Sequence, residues 1–294
     1  MRWSPAFAAV VACGGCLAFL PVPFWITEIW LGGLLGGAAA GLLTLPLCFV
    51  LVSLAARQPA WDAPDAPRAG AEWALLALLI VHGIGLLLAR TTWDAMMVCA
   101  ATLPPAVWVW CWGTLGWTRA KVLLLPVLFG YFALPWEHFL RRAIDIPLQE
   151  WTADIALVGL NLAGYAVSYW DNYTIYTSEY YIIVNETCSG MNMLVTLTMY
   201  TLVFAWAVQP SMRDRVKLLL LVFPIAMLAN GIRVAVLFLM GHYGGDELAM
   251  GPWHTRSAYI IFLPVFWFLY VVNQALTRRR LRAAATPADP APAG

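Results

Sequence analysis

Charged residues are scarce in this sequence. Only 11% of its 294 residues are Asp, Glu, Lys or Arg, whereas 62% are hydrophobic. A soluble globular domain carries about 25% charged residues, so this composition excludes a soluble protein and predicts an integral membrane protein embedded in the lipid bilayer. An excess of positive charge is missing too, since the net charge is +1. This balance argues against nucleic acid as a partner.

A regular cysteine framework is also absent. Five of the six cysteines lie inside apolar segments, where a thiol behaves as a small hydrophobic side chain. Cys13 and Cys16 have C-x-x-C spacing, but no strand and helix pattern typical of a redox motif surrounds them. Cys188 alone borders polar sequence, and no pair of residues with metal-binding spacing lies near it. We therefore expect no metal and no cofactor.

Long apolar runs, by contrast, occupy most of the chain, and the charges fall between them. A membrane-spanning helix needs about 17–25 mainly apolar residues. Such runs lie at about 6–22, 30–56, 73–89, 95–116, 121–136, 190–208, 217–240 and 258–276. The sequence therefore predicts an all-α fold, a polytopic membrane helical bundle with about eight transmembrane helices.

The segment 137–184, between the fifth and sixth runs, is too long for a simple loop. Its stretch 152–167 is periodically apolar, but Asp154, Asn161 and its modest length favour a helix in the membrane interface over a ninth span. The stretch YTIYTSEYYIIV at 173–184 is aromatic and β-branched, which predicts a short hairpin. We expect an extracytoplasmic insertion made of a helix and a hairpin.

Lys and Arg residues are distributed unequally between alternate loops. Twelve of the 17 fall in segments that we assign to the cytoplasm, where short loops rich in these residues remain. The four assigned to the outer face are Arg90, Arg141, Arg142 and Arg256. Both termini are then cytoplasmic, and Cys188 lies at the extracytoplasmic face.

Three reactive side chains come to this outer face. Cys188 precedes the sixth run, at the start of a predicted helix whose unpaired N–H groups favour a thiolate. Arg233 lies 16 residues beyond Lys217, roughly 24 Å along the seventh run and so near the depth of Cys188. Asn230 is one turn below Arg233 on the same face. His254 precedes the eighth run and suits proton transfer near neutral pH. A buried structural cysteine and an arginine that extends to the interface are the alternatives.

The order of these residues resembles that of the exosortase and archaeosortase family. The matching motifs are E-T-C-S-G at Glu186–Gly190, N-G-I-R at Asn230–Arg233, and His254 followed by an apolar run that contains Phe262. The segment LPWEHFLRRAIDIPLQ resembles the family more loosely, so the resemblance extends over about residues 120–270. One departure is Ala258, where the family often has glycine, and it bears on the substrate subtype.

The resemblance implies a membrane cysteine peptidase of the transpeptidase kind in a bacterial cytoplasmic membrane. Its substrates are implied to be secreted proteins that carry a Pro-Glu-Pro-like motif, a membrane span and a basic tail. Catalysis through a thioester then falls to three residues, Cys188, Arg233 and His254. Substrate binding is assigned to Glu186, Asn230, Arg141, Arg142 and Arg256.

We expect the chain to have three parts. These are N-terminal transmembrane spans at 1–116, an exosortase-like catalytic membrane region at 117–276 and a disordered cytoplasmic tail at 277–294. Two rival functions remain open. In a transporter, Arg233 and Glu186 would line a pathway for an anionic solute. In a partner for exopolysaccharide export, the protein would carry out no chemistry.

Overall fold

Helices form most of the chain that the structure describes. The structure is a computed structural model that describes residues 40–62, 69–133 and 144–285. Its helices are α1 Ala40–Ala56, α2 Ala71–Leu88, α3 Thr92–Leu115, α4 Trp117–Phe129, α5 Ile146–Leu162, α6 Met191–Val208, α7 Met212–Gly244, α8 Asp246–Met250 and α9 Pro252–Ala285. Its strands are β1 Ser168–Asp171, β2 Thr174–Tyr176 and β3 Tyr181–Ile183. The chain divides into two units, Met1–Pro135 and Trp136–Gly294.

In the first unit, α2, α3 and α4 pack against one another in chain order. The helix α3 begins with a capping box, in which Thr91 accepts a hydrogen bond from the Asp94 N–H and Asp94 accepts one from the Thr91 N–H. The buried His82 on α2 contacts the Thr102 hydroxyl on α3, with 2.9 Å between Nδ1 and Oγ1. This unit holds none of the three residues predicted to be catalytic.

The second unit is built around α7. This helix has 33 residues, which corresponds to about 50 Å at 1.5 Å per residue. One part of α7 packs against α5 and the strands, with Val234, Leu237 and Phe238 in the shared core. Another part packs against α6 and α9 around Val222 and Ala226. Because α5, α6 and α9 all contact α7, residues from four helices can meet at one place.

Close helix packing in this unit depends on a small residue of α7. A Cβ atom added to Gly231 would lie 2.3 Å from Ile155 Cγ2 on α5. Any side chain at this position would therefore separate the two helices. Position 231 is next to Asn230, whose side chain donates a hydrogen bond to Thr152 on α5 at 3.1 Å, so the close approach of the two helices brings this polar side chain to α5.

The insertion predicted at 137–184 is present as a helix and a small antiparallel sheet. The helix is α5, and the strands pair in the order β1, β2, β3. The pairing of Ile175 with Ile182 confirms the predicted hairpin, and both residues are buried in the core shared with α7. The strand β1 was not predicted, since its residues SYWD are all exposed and lack an alternating pattern.

The prediction of an all-α membrane protein is confirmed, whereas the count of eight spans is not. Five described helical segments are long and apolar enough to cross a membrane, namely Ala71–Leu88, Met97–Leu115, Glu186–Val208, Met212–Gly244 and Ile260–Arg282. Each coincides with a predicted run. The run at 6–22 lies outside the described residues, and α4, at 13 residues, is short for a span. The interfacial position of α5 and the boundary between 116 and 117 stay predictions.

Candidate active site

A tight turn presents Cys188 just before α6. Residues Glu186–Cys188 form a 3₁₀ turn that the Asn185 side chain caps, since its Oδ1 accepts a hydrogen bond from the Thr187 N–H at 3.2 Å. Ser189 donates its hydroxyl proton to the Glu186 carbonyl at 2.9 Å. Gly190 then takes a left-handed conformation, with φ of 89°, and α6 begins at Met191. A turn therefore follows the thiol immediately and leads into α6.

The thiol of Cys188 contacts an imidazole. Its Sγ lies 2.9 Å from His254 Nε2, and its residue is only 1% exposed. His254 lies in the first turn of α9, where its N–H donates to the Gly251 carbonyl at 3.0 Å. The predicted Cys188 and His254 are therefore side by side, although 66 residues separate them in the chain.

Arg233 holds the segment that carries this imidazole. Its Nη2 donates to the His254 carbonyl at 2.9 Å, and its Nε donates to the Ser257 hydroxyl at 3.1 Å. Ser257 in turn donates to the same His254 carbonyl at 2.9 Å. The guanidinium also lies against the ring, with 3.5 Å between Nη2 and His254 Nε2. Arg233 therefore fixes both the backbone and the side chain of His254.

The protonation of this pair follows from its neighbours. A guanidinium can only donate hydrogen bonds, so His254 Nε2 is best matched to it as an acceptor. The Cys188 S–H group is then the donor to Nε2. Burial, together with the charge of Arg233, holds the pKa of His254 below its ordinary value. A neutral imidazole beside a thiol is a general base that is ready to take the thiol proton.

The charge of Arg233 has no fixed counter-ion among the described residues. The residue is 5% exposed, and it contacts an amide, a hydroxyl, a carbonyl and an imidazole. A buried cation without a paired anion is costly. An anion that forms at Cys188, whose charge would interact with Arg233, would offset that cost. The charge of Arg233 therefore favours an anion that forms here during a reaction, whereas burial of Cys188 opposes a thiolate in the resting protein.

Asn230 connects the guanidinium to the cysteine loop. It is fully buried and accepts a hydrogen bond from Arg233 Nη1 at 3.3 Å. Its Nδ2 donates to the Cys188 carbonyl at 2.7 Å and to the Thr152 hydroxyl at 3.1 Å. In this arrangement its amide is committed to contacts within the protein. Its predicted part in substrate binding is untested.

Of the other four residues predicted to bind substrate, the structure describes two. Glu186 is exposed two residues before Cys188, and Arg256 is exposed two residues after His254. Arg141 and Arg142 lie outside the described residues, and the side chain of Ala258 is not described.

Two polar residues of the site were missed by sequence reasoning. Ser257 follows His254 by one helical turn, which is a signal that the sequence could have offered. Thr152 lies 36 residues before Cys188 on α5, within a stretch that its apolar pattern assigned to the membrane interface. Nothing in its local sequence distinguishes it from a solvent-facing threonine.

The fold and the site together define a class, that of polytopic helical membrane proteins with a buried cluster of cysteine, histidine and arginine. Residues 36–271 match the family model described as transmembrane exosortase (Exosortase_EpsH). The match covers most of the chain, and the protein belongs to this family. No curated protein and no solved structure matches the chain significantly. At the level of the family, the protein is a multi-pass membrane sorting transpeptidase.

Proposed function

We propose that this protein is a membrane-embedded cysteine transpeptidase that cleaves C-terminal sorting signals of secreted proteins through a thioester intermediate. The observation that carries the proposal is the 2.9 Å contact between Cys188 Sγ and His254 Nε2 beside the buried Arg233. A structural cysteine needs neither a basic neighbour nor a cation. Membership of the transmembrane exosortase family supports the same reaction class.

In the first half of the reaction, His254 Nε2 takes the proton of the Cys188 thiol, and the thiolate attacks the scissile carbonyl carbon. The negative charge moves to the carbonyl oxygen of the tetrahedral intermediate, where the guanidinium of Arg233 stabilises it. His254 then gives its proton to the leaving amine. The C–N bond breaks, and the substrate remains attached to Cys188 as a thioester.

In the second half, an acceptor nucleophile attacks the thioester. His254 takes the acceptor's proton, a second tetrahedral oxyanion forms, and the C–S bond breaks to restore the Cys188 thiol. The acceptor is water, which gives hydrolysis, or an amine or hydroxyl group of another molecule, which gives transfer.

The proposed substrates are membrane-anchored, with a Pro-Glu-Pro-like motif before a span and a basic tail. The proposed site lies at the extracytoplasmic face of a bacterial cytoplasmic membrane, at the outer end of the span that begins near Cys188. The exposed Glu186 and Arg256 flank the reacting residues in the chain. Arg256, with Arg141 and Arg142, is proposed to bind the carboxylate of the motif.

Co-expression with a tailed reporter protein tests this function. Wild type is expected to trim the reporter, Cys188→Ala to leave it at full length, and the control Cys99→Ala to trim normally, because Cys99 is a buried thiol of the other unit. Hydroxylamine should intercept the thioester and leave a hydroxamate at the new C-terminus of the reporter. Trimming by Cys188→Ala at the wild-type rate would refute the proposal.

A further inference from the structure

We propose that Thr152, acting with Asn230, is a positioning residue that aims the thiol of Cys188 at His254. The two side chains bind the carbonyl oxygens of Cys188 and Ser189, the two consecutive peptide units that follow the thiol. We call this pair of side chains the carbonyl clamp. The inference rests on the proposed role of Cys188 as the nucleophile.

The carbonyl clamp uses every hydrogen-bond donor of its two side chains. The Thr152 hydroxyl donates its single proton to the Ser189 carbonyl at 3.1 Å and accepts from Asn230 Nδ2 at 3.1 Å. The second Nδ2 proton of Asn230 goes to the Cys188 carbonyl at 2.7 Å. Thr152 and Asn230 are both fully buried. Burying a polar group is costly unless it is hydrogen-bonded. The bond from Asn230 to Thr152 links the two side chains, so each helps to satisfy the other.

The network also fixes which way round the Asn230 amide lies. Its Oδ1 accepts from Arg233 Nη1 at 3.3 Å, and Nδ2 faces two acceptors. A rotated amide would direct its NH₂ group at the guanidinium and its oxygen at a carbonyl, and both contacts would be repulsive. The position of Arg233 is thereby transmitted to the Cys188 loop, and Thr152 extends the same chain of bonds to Ser189.

The cysteine loop is shaped to receive this clamp. A Cβ atom added to Gly190 would lie 2.8 Å from Asn230 Nδ2, so only glycine lets the amide approach the turn. The residue's φ of 89° is also one that other residues rarely adopt. The turn, the amide and the hydroxyl therefore fit as one unit, drawn from the loop, α7 and α5.

The expected consequence for reactivity is geometric. The direction of the Cα–Cβ bond of Cys188 depends on the peptide units on either side of it. Loss of the Thr152 hydroxyl releases the Ser189 carbonyl and removes the acceptor of one Asn230 N–H group. The peptide units after Cys188 can then rotate and carry Sγ away from Nε2. A misplacement of about 1 Å at a reacting group can reduce a rate by about 100-fold. A threonine with a purely structural role would support folding without influencing the contact between Sγ and Nε2.

Thr152→Val is the decisive variant, because valine copies the shape of threonine but can neither donate nor accept. Thr152→Ser retains the hydroxyl and is the matched rescue variant. Thr152→Ala is a second hydroxyl-free variant in case Thr152→Val does not accumulate. Val222→Ala is the control for general destabilisation, since Val222 is buried in the other α7 core, 11 residues before Arg233.

Two readouts are measured on the full-length protein in detergent. The first is the rate at which iodoacetamide alkylates Cys188, followed by mass spectrometry of its peptide over a range of pH and compared with His254→Ala. The second is trimming of a tailed reporter. We expect Thr152→Val and Thr152→Ala to lose about 10- to 100-fold in trimming, with an alkylation pH profile shifted towards that of His254→Ala. Thr152→Ser and Val222→Ala should keep the wild-type profile.

The outcomes separate this inference from the proposed function. An unchanged pH profile in both hydroxyl-free variants would overturn the positioning role, as would a Thr152→Ser profile as altered as that of Thr152→Val. The alkylation measurement requires no substrate. If Cys188→Ala still trimmed the reporter, the proposed function would fail, yet the alkylation profiles would still report whether the clamp sets the geometry of the thiol.

Discussion

Replacement of Arg233 by lysine tests whether the shape of the guanidinium matters or only its charge. In the structure, three nitrogen atoms of Arg233 contact three different side chains or carbonyls, at 3.1 Å for Nε to Ser257, 3.3 Å for Nη1 to Asn230 and 2.9 Å for Nη2 to the His254 carbonyl. A lysine ammonium has one nitrogen atom and a shorter reach. Its three N–H donors leave from a single atom, which cannot occupy the positions of three guanidinium nitrogens, so we expect it to replace one of these bonds.

The magnitude follows from the bonds that are lost. A hydrogen bond from a charged group contributes about 1.5–3 kcal/mol, so losing two of three releases the His254 segment and Asn230 from about 3–6 kcal/mol of restraint. Removal of one oxyanion donor typically lowers a rate by about 10²–10³-fold. We therefore expect Arg233→Lys to trim a tailed reporter at least about 100-fold more slowly than wild type, nearly as slowly as Arg233→Ala.

The assay is the initial rate of reporter trimming, normalised to the amount of folded protein in the membrane. Arg213→Lys is the matched control, because Arg213 is an exposed residue near the beginning of the same helix, and it should trim at the wild-type rate. If Arg233→Lys trimmed within a few-fold of wild type, Arg233 would act as a charge alone. The mechanism would then depend on Cys188 and His254.

Three further predictions concern other parts of the site. Burial and the charge of Arg233 lower the pKa of His254, so its neutral base form persists below pH 6.5. The fall of kcat/KM on the acid side of its pH profile should therefore have its midpoint below pH 6.5. A midpoint at higher pH would contradict the role of His254 as the base. Gly190→Ala should abolish trimming, because its Cβ would lie 2.8 Å from Asn230 Nδ2. Gly159→Ala is the control and should be tolerated, because no atom lies within 4 Å of the Cβ position there. Equal activity of the two variants would contradict the close packing of Asn230 against the turn at Gly190. Arg256→Gln should slow the trimming of reporters with Glu in the signal more than of those with Gln, and equal losses would remove the proposed contact with the carboxylate.

The sequence predicted the parts of this protein that depend on composition and period. The apolar runs at 73–89 and 190–208 predicted two helices that are long and apolar enough to cross a membrane. A span needs one continuous apolar segment, and such a segment can be recognised from the sequence alone. The hairpin at 173–184 was found through its β-branched and aromatic residues. The approach of Cys188 to His254 was expected from the positions of both residues at the outer ends of spans.

What the sequence could not predict depends on contacts between distant segments. Thr152 is one threonine among many, and its importance arises only because the absence of a side chain at Gly231 lets α5 approach α7. The use of Asn230 as a support for the Cys188 carbonyl depends on the left-handed turn at Gly190. Packing of this kind is set in three dimensions, and the local pattern does not encode it.

The electrostatics of the buried site explain why the proposed thioester would react onward with an acceptor and would not accumulate. The positive charge of Arg233 has no carboxylate partner among the described residues, so it is best compensated when the reacting centre is anionic. In the proposed reaction that condition holds for the thiolate and for both tetrahedral oxyanions, and it does not hold for the neutral thioester between them. A buried cation raises the free energy of a neutral state relative to an anionic one in a medium of low dielectric constant. The neutral thioester, like the resting thiol, is then less well matched to this charge than either oxyanion, and both of the transition states next to the thioester are stabilised relative to it. Attack by the acceptor is favoured for the same reason that attack by the thiolate is, since each step places a negative charge within the field of the same guanidinium.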